Sequence, residues 1–269
     1  MNINSATLAL SLLPQSSGSI NFSSLYAGLS SGAGAVNAGT VALSLRQAEA
    51  NEAKQLEVAA KDPVVQRDIE RYKRVVKDAT TVEEVLDDPV ARRVFLTANG
   101  LGDQADYVAL AKRGVLSDPN DENSLAVRMS ESNNKWLQVA QKYNLQLVGV
   151  GALQVSDAIA EVTENYIAEK RLDNLDQQMP GLGTALLFKK AAGGYTSALN
   201  ILGSGLAREV VTTALGIPKQ IAYQSIKAQE KAINTRMNVE DLQDERYVDR
   251  LVQRYLLEVN GIGLSGISV

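Results

Sequence analysis

Apolar side chains recur every three or four positions along most of the chain, a spacing that places them on one face of an α-helix. The clearest case follows Asp62, where Val65, Ile69, Tyr72 and Val76 line up. We find no alternating strand pattern between turns, so the sequence predicts an all-α fold. Helices are expected over 41–60, 104–115, 124–130, 134–143, 182–191, 196–202, 206–215 and 240–259, with others beginning at 63, 89, 156 and 218.

Two of these helices begin with the same dipeptide, Asp62-Pro63 and Asp88-Pro89. An aspartate can accept hydrogen bonds from the first-turn amides of a helix, and proline suits its first position. Asn99-Gly100 is typical of a helix end, since glycine readily takes the left-handed conformation that follows the last turn. The element boundaries are therefore expected to be sharp here.

One stretch of the chain occurs twice. Residues 86–101 return at 202–217 with every position moved by 116, and the register extends to Tyr107 and Tyr223. The shared residues are mainly Leu, Ala, Val, Thr and Gly, which pack and turn, together with one arginine. Such a repeat predicts two similar multi-helix modules.

The repeat suggests four parts, with a glycine-containing joint at 147–153 between the modules. These are an N-terminal segment (1–40), a first module with a leading helix (41–147), a second module (148–259) and a tail (260–269). We expect 66–143 to superpose on 182–255.

We also expect four residues at the ends of the repeated helices to be buried where two helices approach closely. They are Thr97, Ala98, Thr213 and Ala214.

Both ends of the chain are free of charge, and no charged residue precedes Arg46. Ser, Gly, Ala and Asn dominate residues 2–39, a composition that buries too little apolar surface to order itself. Two interpretations stay open: a disordered tail, or a serine-rich signal of the type III export kind. Scattered apolar residues could order against a partner, chiefly Leu8, Leu12, Phe22, Leu25 and Tyr26.

The composition excludes several kinds of catalytic and metal-binding chemistry. The chain has no Cys and no His, which excludes disulfides, thiolate and imidazole catalysis and nearly all zinc sites. A carboxylate site for Mg²⁺ or Ca²⁺ remains open. The net charge of −4 argues against nucleic acid as a partner, and no uncharged apolar run is long enough to cross a bilayer. We predict no enzyme activity, catalytic residue, metal or cofactor.

Three features could still bind something. Gly203-Ser204-Gly205 before a helix could cradle a phosphate, although the motif is weak and the first copy has Asp87-Asp88-Pro89 there. Arg67, Arg71 and Arg74 form a basic stripe that is either a solvated face or a docking site for an acidic partner. Arg92 and its repeat mate Arg208 are better explained as donors to the carbonyls of a neighbouring helix end.

The second half carries a family resemblance. Residues 183–190 and 207–218 resemble an uncharacterised helical domain family that is common in alphaproteobacteria and often encoded in flagellar gene clusters. The first half resembles the other copy, so that the likeness covers roughly 62–258. The resemblance implies association with the flagellum and brings no catalytic residues.

Two classes of function follow. The first is a non-enzymatic flagellar structural or assembly protein, exported or cytoplasmic, whose partners are flagellar proteins or other copies of itself. The second is a small-molecule or phosphate binder that uses the Gly203–Gly205 loop.

Overall fold

The structure, a computed structural model, describes residues 36–130 and 134–262, all of which lie in helices, 3-10 turns or connecting loops. The predicted all-α fold is confirmed, since these two ranges contain no strand. The predictions for 1–35 and 263–269 concern residues outside the described ranges.

The leading helix is interrupted. Instead of one helix over 41–60, the structure has α1 (Ala38–Ala50) and α2 (Glu52–Lys61). The Asn37 side chain accepts hydrogen bonds from the amides of Gly39 and Thr40, which sets the early start. The break falls at Asn51, which ends α1 with its side chain bonded to the Gln47 carbonyl.

Six further helices lie within the described residues 63–130 and 134–143, with the Asp-Pro starts where the sequence predicts them. Asp62 accepts from the Val64 amide at 2.7 Å, and Asp88 accepts from the Ala91 amide at 2.8 Å. The helices are α3 (Pro63–Asp78), α4 (Val82–Asp87), α5 (Pro89–Ala98), α6 (Val108–Val115), α7 (Leu125–Met129) and α8 (Lys135–Tyr143).

The middle of the chain consists of two single turns and one long helix: α9 (Leu145–Val148), α10 (Gly151–Gln154) and α11 (Ser156–Gln178). The sequence also predicts that Ser156 caps the long helix, because serine is a common N-cap residue, and this prediction is wrong. Ser156 is already its first residue, and the preceding Val155 supplies no side-chain cap.

The second half contains helices of 6 to 15 residues. Its helices are α12 (Leu182–Ala191), α13 (Ala198–Gly203), α14 (Gly205–Ala214), α15 (Ile226–Asn234) and α16 (Glu245–Val259).

Three predicted helices begin later than the pattern suggested. Short 3-10 turns occupy Gly102–Gln104, Lys219–Tyr223 and Val239–Gln243 ahead of α6, α15 and α16. New caps explain two of the delayed starts, because Ser225 accepts from the Ala228 amide and Asp244 from the Arg246 amide. Apolar spacing alone does not distinguish a 3-10 turn from the first turn of a helix.

Local structure recurs at the spacing of the sequence repeat. Helices α13 and α14 begin and end 116 residues after α4 and α5. Gly100 and Gly216, which follow α5 and α14, have left-handed φ values of 69° and 60°. In both places the residue after the glycine donates to a carbonyl in the last helical turn. Superposition of 66–143 on 182–255 stays a prediction.

The repeated helices differ in their neighbours. Helix α5 packs chiefly against α3 and the long helix α11, whereas α14 packs against α12 and α16. The apolar core around α5 includes Tyr72, Phe95, Trp136 and Tyr166, all fully buried or nearly so. Of the residues expected to be buried at the helix ends, Ala98 and Ala214 are, but Thr97 and Thr213 are only half-buried.

Candidate interaction surfaces

The basic stripe on α3 is exposed, but its middle member is engaged within the chain. Arg71 donates through Nε and Nη2 to the Asp88 carboxylate at 2.9 and 2.6 Å. Asp88 caps α5, so Arg71 ties α3 to the start of that helix. Arg67 and Arg74 each bond the carbonyl one turn back through Nε. The stripe's role in docking an acidic partner therefore rests on Arg67 and Arg74 and stays a prediction.

The repeated arginines are structural, as the sequence suggests. Arg92 is 7% exposed and donates to the carbonyls of Leu86, at the end of α4, and Ala105, both at 2.6 Å. Arg208 donates to the carbonyl of Leu202, at the end of α13, at 2.5 Å. Each arginine thus joins its helix to the end of the preceding short helix.

The Gly203–Gly205 loop acts as a helix cap. The Ser204 hydroxyl accepts from the Ala207 amide at 3.2 Å and lies 3.0 Å from the Tyr195 hydroxyl. Its repeat mate Asp88 caps α5 in the same position. A phosphate would have to replace the serine at this amide, so the geometry favours the structural interpretation of the loop.

Charged side chains join α1 and α2 to the second half. Lys189 on α12 pairs with Glu49 on α1 at 2.6 Å and with Asp249 on α16 at 2.5 Å. Arg171, buried on α11, donates to the Ala48 carbonyl and to the Gln55 side chain.

A cavity of about 210 Å³ lies beside these pairs and is lined partly by Glu52 and Lys190. The hydrogen bond from Lys190 outweighs burial and holds the pKa of Glu52 below its usual value. Salt bridges to Lys190 and Arg171 thus hold the Glu52 carboxylate at the wall of the cavity.

A larger open groove of about 710 Å³ runs beside the start of α13, lined by residues that include Thr196, Ser197, Glu230, Asn234 and Asn238. Ser197 caps α13 by accepting from the Asn200 amide at 3.1 Å. Thr196 bonds the side chain of Asn200 at 3.0 Å. Both hydroxyls in the groove wall therefore already stabilise the first turn of α13.

Several exposed apolar and aromatic side chains were not predicted from the sequence to be partner contacts. Tyr107 and Tyr223 are 61% and 93% exposed, although the repeat pairs them at equivalent positions. Leu147, Val148 and Val155 form a second exposed set around the joint. The sequence feature that could have identified Tyr107 and Tyr223 is a tyrosine that occurs in both copies of the repeat, ahead of a helix and outside its apolar stripe. Tyrosine is one of the residues enriched at the energetic centres of protein interfaces.

The other predicted partner contacts, Leu8, Leu12, Phe22, Leu25 and Tyr26, lie outside the described residues. Among the helices of 36–130 and 134–262, none is both long and apolar enough to span a membrane.

Comparison with known proteins identifies the family of this all-helical chain. Residues 98–248 match a family described as "Protein of unknown function (DUF1217)". The match extends over more than half of the chain, which therefore belongs to the DUF1217 family. This agrees with the resemblance to an uncharacterised family, over a shorter range than 62–258.

The chain is also similar in fold to the crystal structure of protein AGR_C_984 from Agrobacterium tumefaciens. The two share 23% sequence identity with a TM-score of 0.64, over 85% of this chain and 96% of that one. Among curated proteins, none matches. The likeness establishes the fold and brings no activity with it.

Proposed function

We propose that this protein is a non-enzymatic structural or assembly component of the bacterial flagellum that acts through protein–protein contacts. The observation that carries the proposal is the pair of exposed tyrosines at equivalent positions, Tyr107 and Tyr223. A side chain that is apolar over most of its surface gains free energy when a partner covers it, and tyrosine is enriched at the energetic centres of interfaces.

The polar groups that sequence analysis singled out support the same proposal. Arg92, Arg208, Arg71 and Ser204 bond helix ends and caps within the chain. These hydrogen bonds fix the positions of the helices, and the helices carry the exposed surfaces. The flagellar assignment rests on the resemblance carried by residues 183–190 and 207–218.

A deletion strain tests the assignment. Loss of the gene should reduce motility, and the full chain supplied in trans should restore it. A Y107A/Y223A variant should fold but fail to restore motility, because both side chains are exposed. The matched control is Val64→Ala, which truncates an exposed side chain on α3. Normal motility in the deletion strain would contradict a flagellar role.

Location separates the two forms of the proposal. An exported component should be found in the filament or culture fluid, and removal of residues 2–30 should abolish this while leaving the helical body folded by circular dichroism. A cytoplasmic assembly factor should stay in the cell fraction with or without those residues. A truncated protein that keeps both its location and full motility would contradict the export form.

A further inference from the structure

The two exposed tyrosines lie in equivalent loops. We define the Tyr107 loop as residues 102–107 and the Tyr223 loop as residues 218–227. Each follows a left-handed glycine and contains a 3-10 turn; the Tyr107 loop ends just before α6, and the Tyr223 loop includes the first two residues of α15, Ile226 and Lys227. The repeat thus presents a large aromatic side chain at corresponding points of the two halves.

The charges of the two loops have opposite signs. The Tyr107 loop carries Asp103 and Asp106 as its only charged residues, and the Tyr223 loop carries only Lys219 and Lys227. All four side chains are exposed. Within the part of the chain that the structure describes, none of them forms an ion pair. Each loop therefore has unneutralised charge beside an exposed aromatic ring.

Complementary charge around apolar anchors selects a partner and sets its orientation. We propose that the Tyr107 loop of one copy binds the Tyr223 loop of a second copy of this chain. This inference rests on the proposed function, because it names the partner of the protein contacts. The two surfaces differ, so the contact is head-to-tail, and such contacts build rings or open chains.

An apolar residue near Tyr223 adds to the centre of the contact. Ile226 is 48% exposed within the Tyr223 loop. With Tyr223 it offers apolar area beside Lys219 and Lys227, which matches an acidic, aromatic surface such as the Tyr107 loop. An unrelated acidic protein is the competing occupant, and the experiment distinguishes it.

The test is the mass of the purified full chain, 28.9 kDa per copy, measured by sedimentation equilibrium over a concentration series. The wild-type mass should rise with concentration and fall back in high salt, which screens exposed charges. K219E/K227E should make both loops acidic, and D103K/D106K should make both basic. Each reversal alone should weaken self-association about tenfold or more.

The reversals also predict recovery. A mixture of the K219E/K227E and D103K/D106K proteins should associate, because an acidic loop then meets a basic one. The four-fold variant, with both signs exchanged in one chain, should regain self-association. The control K54E/K73E changes the net charge as K219E/K227E does, at exposed positions on α2 and α3, and should behave like wild type. Tyr223→Ala should weaken association without changing the circular dichroism spectrum.

A wild-type chain that stays at 28.9 kDa at every concentration would overturn the proposal. So would equal association of all the charge variants, or no recovery in the mixture. If the chain is monomeric while Y107A/Y223A still fails to restore motility, self-association is wrong but the protein-contact function stands. The Tyr223 loop is then the place to seek an acidic partner.

Discussion

Helices α5 and α14 occupy the same place in the two copies of the sequence repeat. The helices that bond and cover them, however, differ between the two halves. On α5, Arg93 pairs with Asp68 of α3, and Tyr166 of α11 donates to that aspartate at 2.7 Å. On α14, the residue equivalent to Arg93 is Glu209, which itself accepts from Tyr255 of α16 at 3.1 Å. Both sites join a tyrosine to a carboxylate, but the carboxylate comes from a different helix.

The two sites share an electrostatic consequence. Burial, and in the first site the bond to Asp68, raises the pKa of Tyr166. Burial and the neighbouring Glu209 raise the pKa of Tyr255. Neither phenol ionises easily, so each remains a donor. The bond from Arg92 or Arg208 to the preceding short helix recurs in both halves, whereas the position of Arg93 and Glu209 bonds a different helix in each half.

The repeated arginines should differ most in their effect on stability. Arg92→Met leaves two buried carbonyls without a donor and should lower the free energy of unfolding by about 3 kcal/mol. Arg208→Met removes one bond from a half-buried site and should cost about 1 kcal/mol. Urea unfolding of both variants measures the difference. Equal losses would mean that the Ala105 carbonyl does not depend on Arg92.

The ends of the two helices offer a packing comparison. Ala214 is fully buried and Ala98 is 8% exposed. Ala214→Leu should overpack the contact of α14 with its neighbours and cost about 1–3 kcal/mol, with Ala98→Leu costing less. The melting midpoint of each variant measures the effect. An unchanged midpoint for the Ala214 variant would show that α14 has room at this end.

The caps of α5 and α14 should respond differently to acid. Burial alone would raise the pKa of Asp88, but the Ala91 amide, Arg71 and the Val90 amide outweigh it and hold the pKa below its ordinary value. A lowered pKa stabilises the fold above the unfolded value of about 3.9, and this stabilisation is lost as the pH falls through the folded pKa. The Ser204 hydroxyl does not ionise there, so its cap is insensitive to acid.

Exchanging the caps tests this. Asp88→Ser should make the loss of stability between neutral pH and about pH 2 smaller by about 1 kcal/mol, and Ser204→Asp should make it larger. Unfolding midpoints across that range give the answer. A loss in Asp88→Ser equal to that of wild type would place the acid sensitivity elsewhere.

The glycine loop should show the smallest effect. A Cβ at Gly203 or Gly205 meets nothing within 4 Å, and neither has a positive φ. Alanine at each should stabilise by about 0.5 kcal/mol by restricting the unfolded chain. Gly216→Ala, at φ 60°, should instead destabilise by about 1 kcal/mol. Micromolar ATP or GTP binding by wild type, lost in the double variant by calorimetry, would contradict the capping role.

The sequence by itself determined the all-α class, most of the helices, the Asp-Pro starts, the glycine stops and the bonding role of Arg92 and Arg208, but it did not predict the short helices α4, α9 and α10. These depend on residues close along the chain, where spacing and side-chain chemistry act directly. It misplaced three starts because a 3-10 turn and a helical first turn share the same apolar spacing. It also gave Arg71 no internal partner, because Asp88 is distant in sequence.

Only the tertiary structure decided which helices cover α5 and α14, and which side chains remain exposed. Those outcomes depend on contacts such as Arg171 with Ala48, between residues far apart in the chain. The repeat marked Tyr107 and Tyr223 as equivalent, but a helical pattern does not show whether a neighbouring helix will cover a side chain. Whether a side chain is buried depends on how the helices pack together, and this packing leaves both tyrosines exposed to solvent.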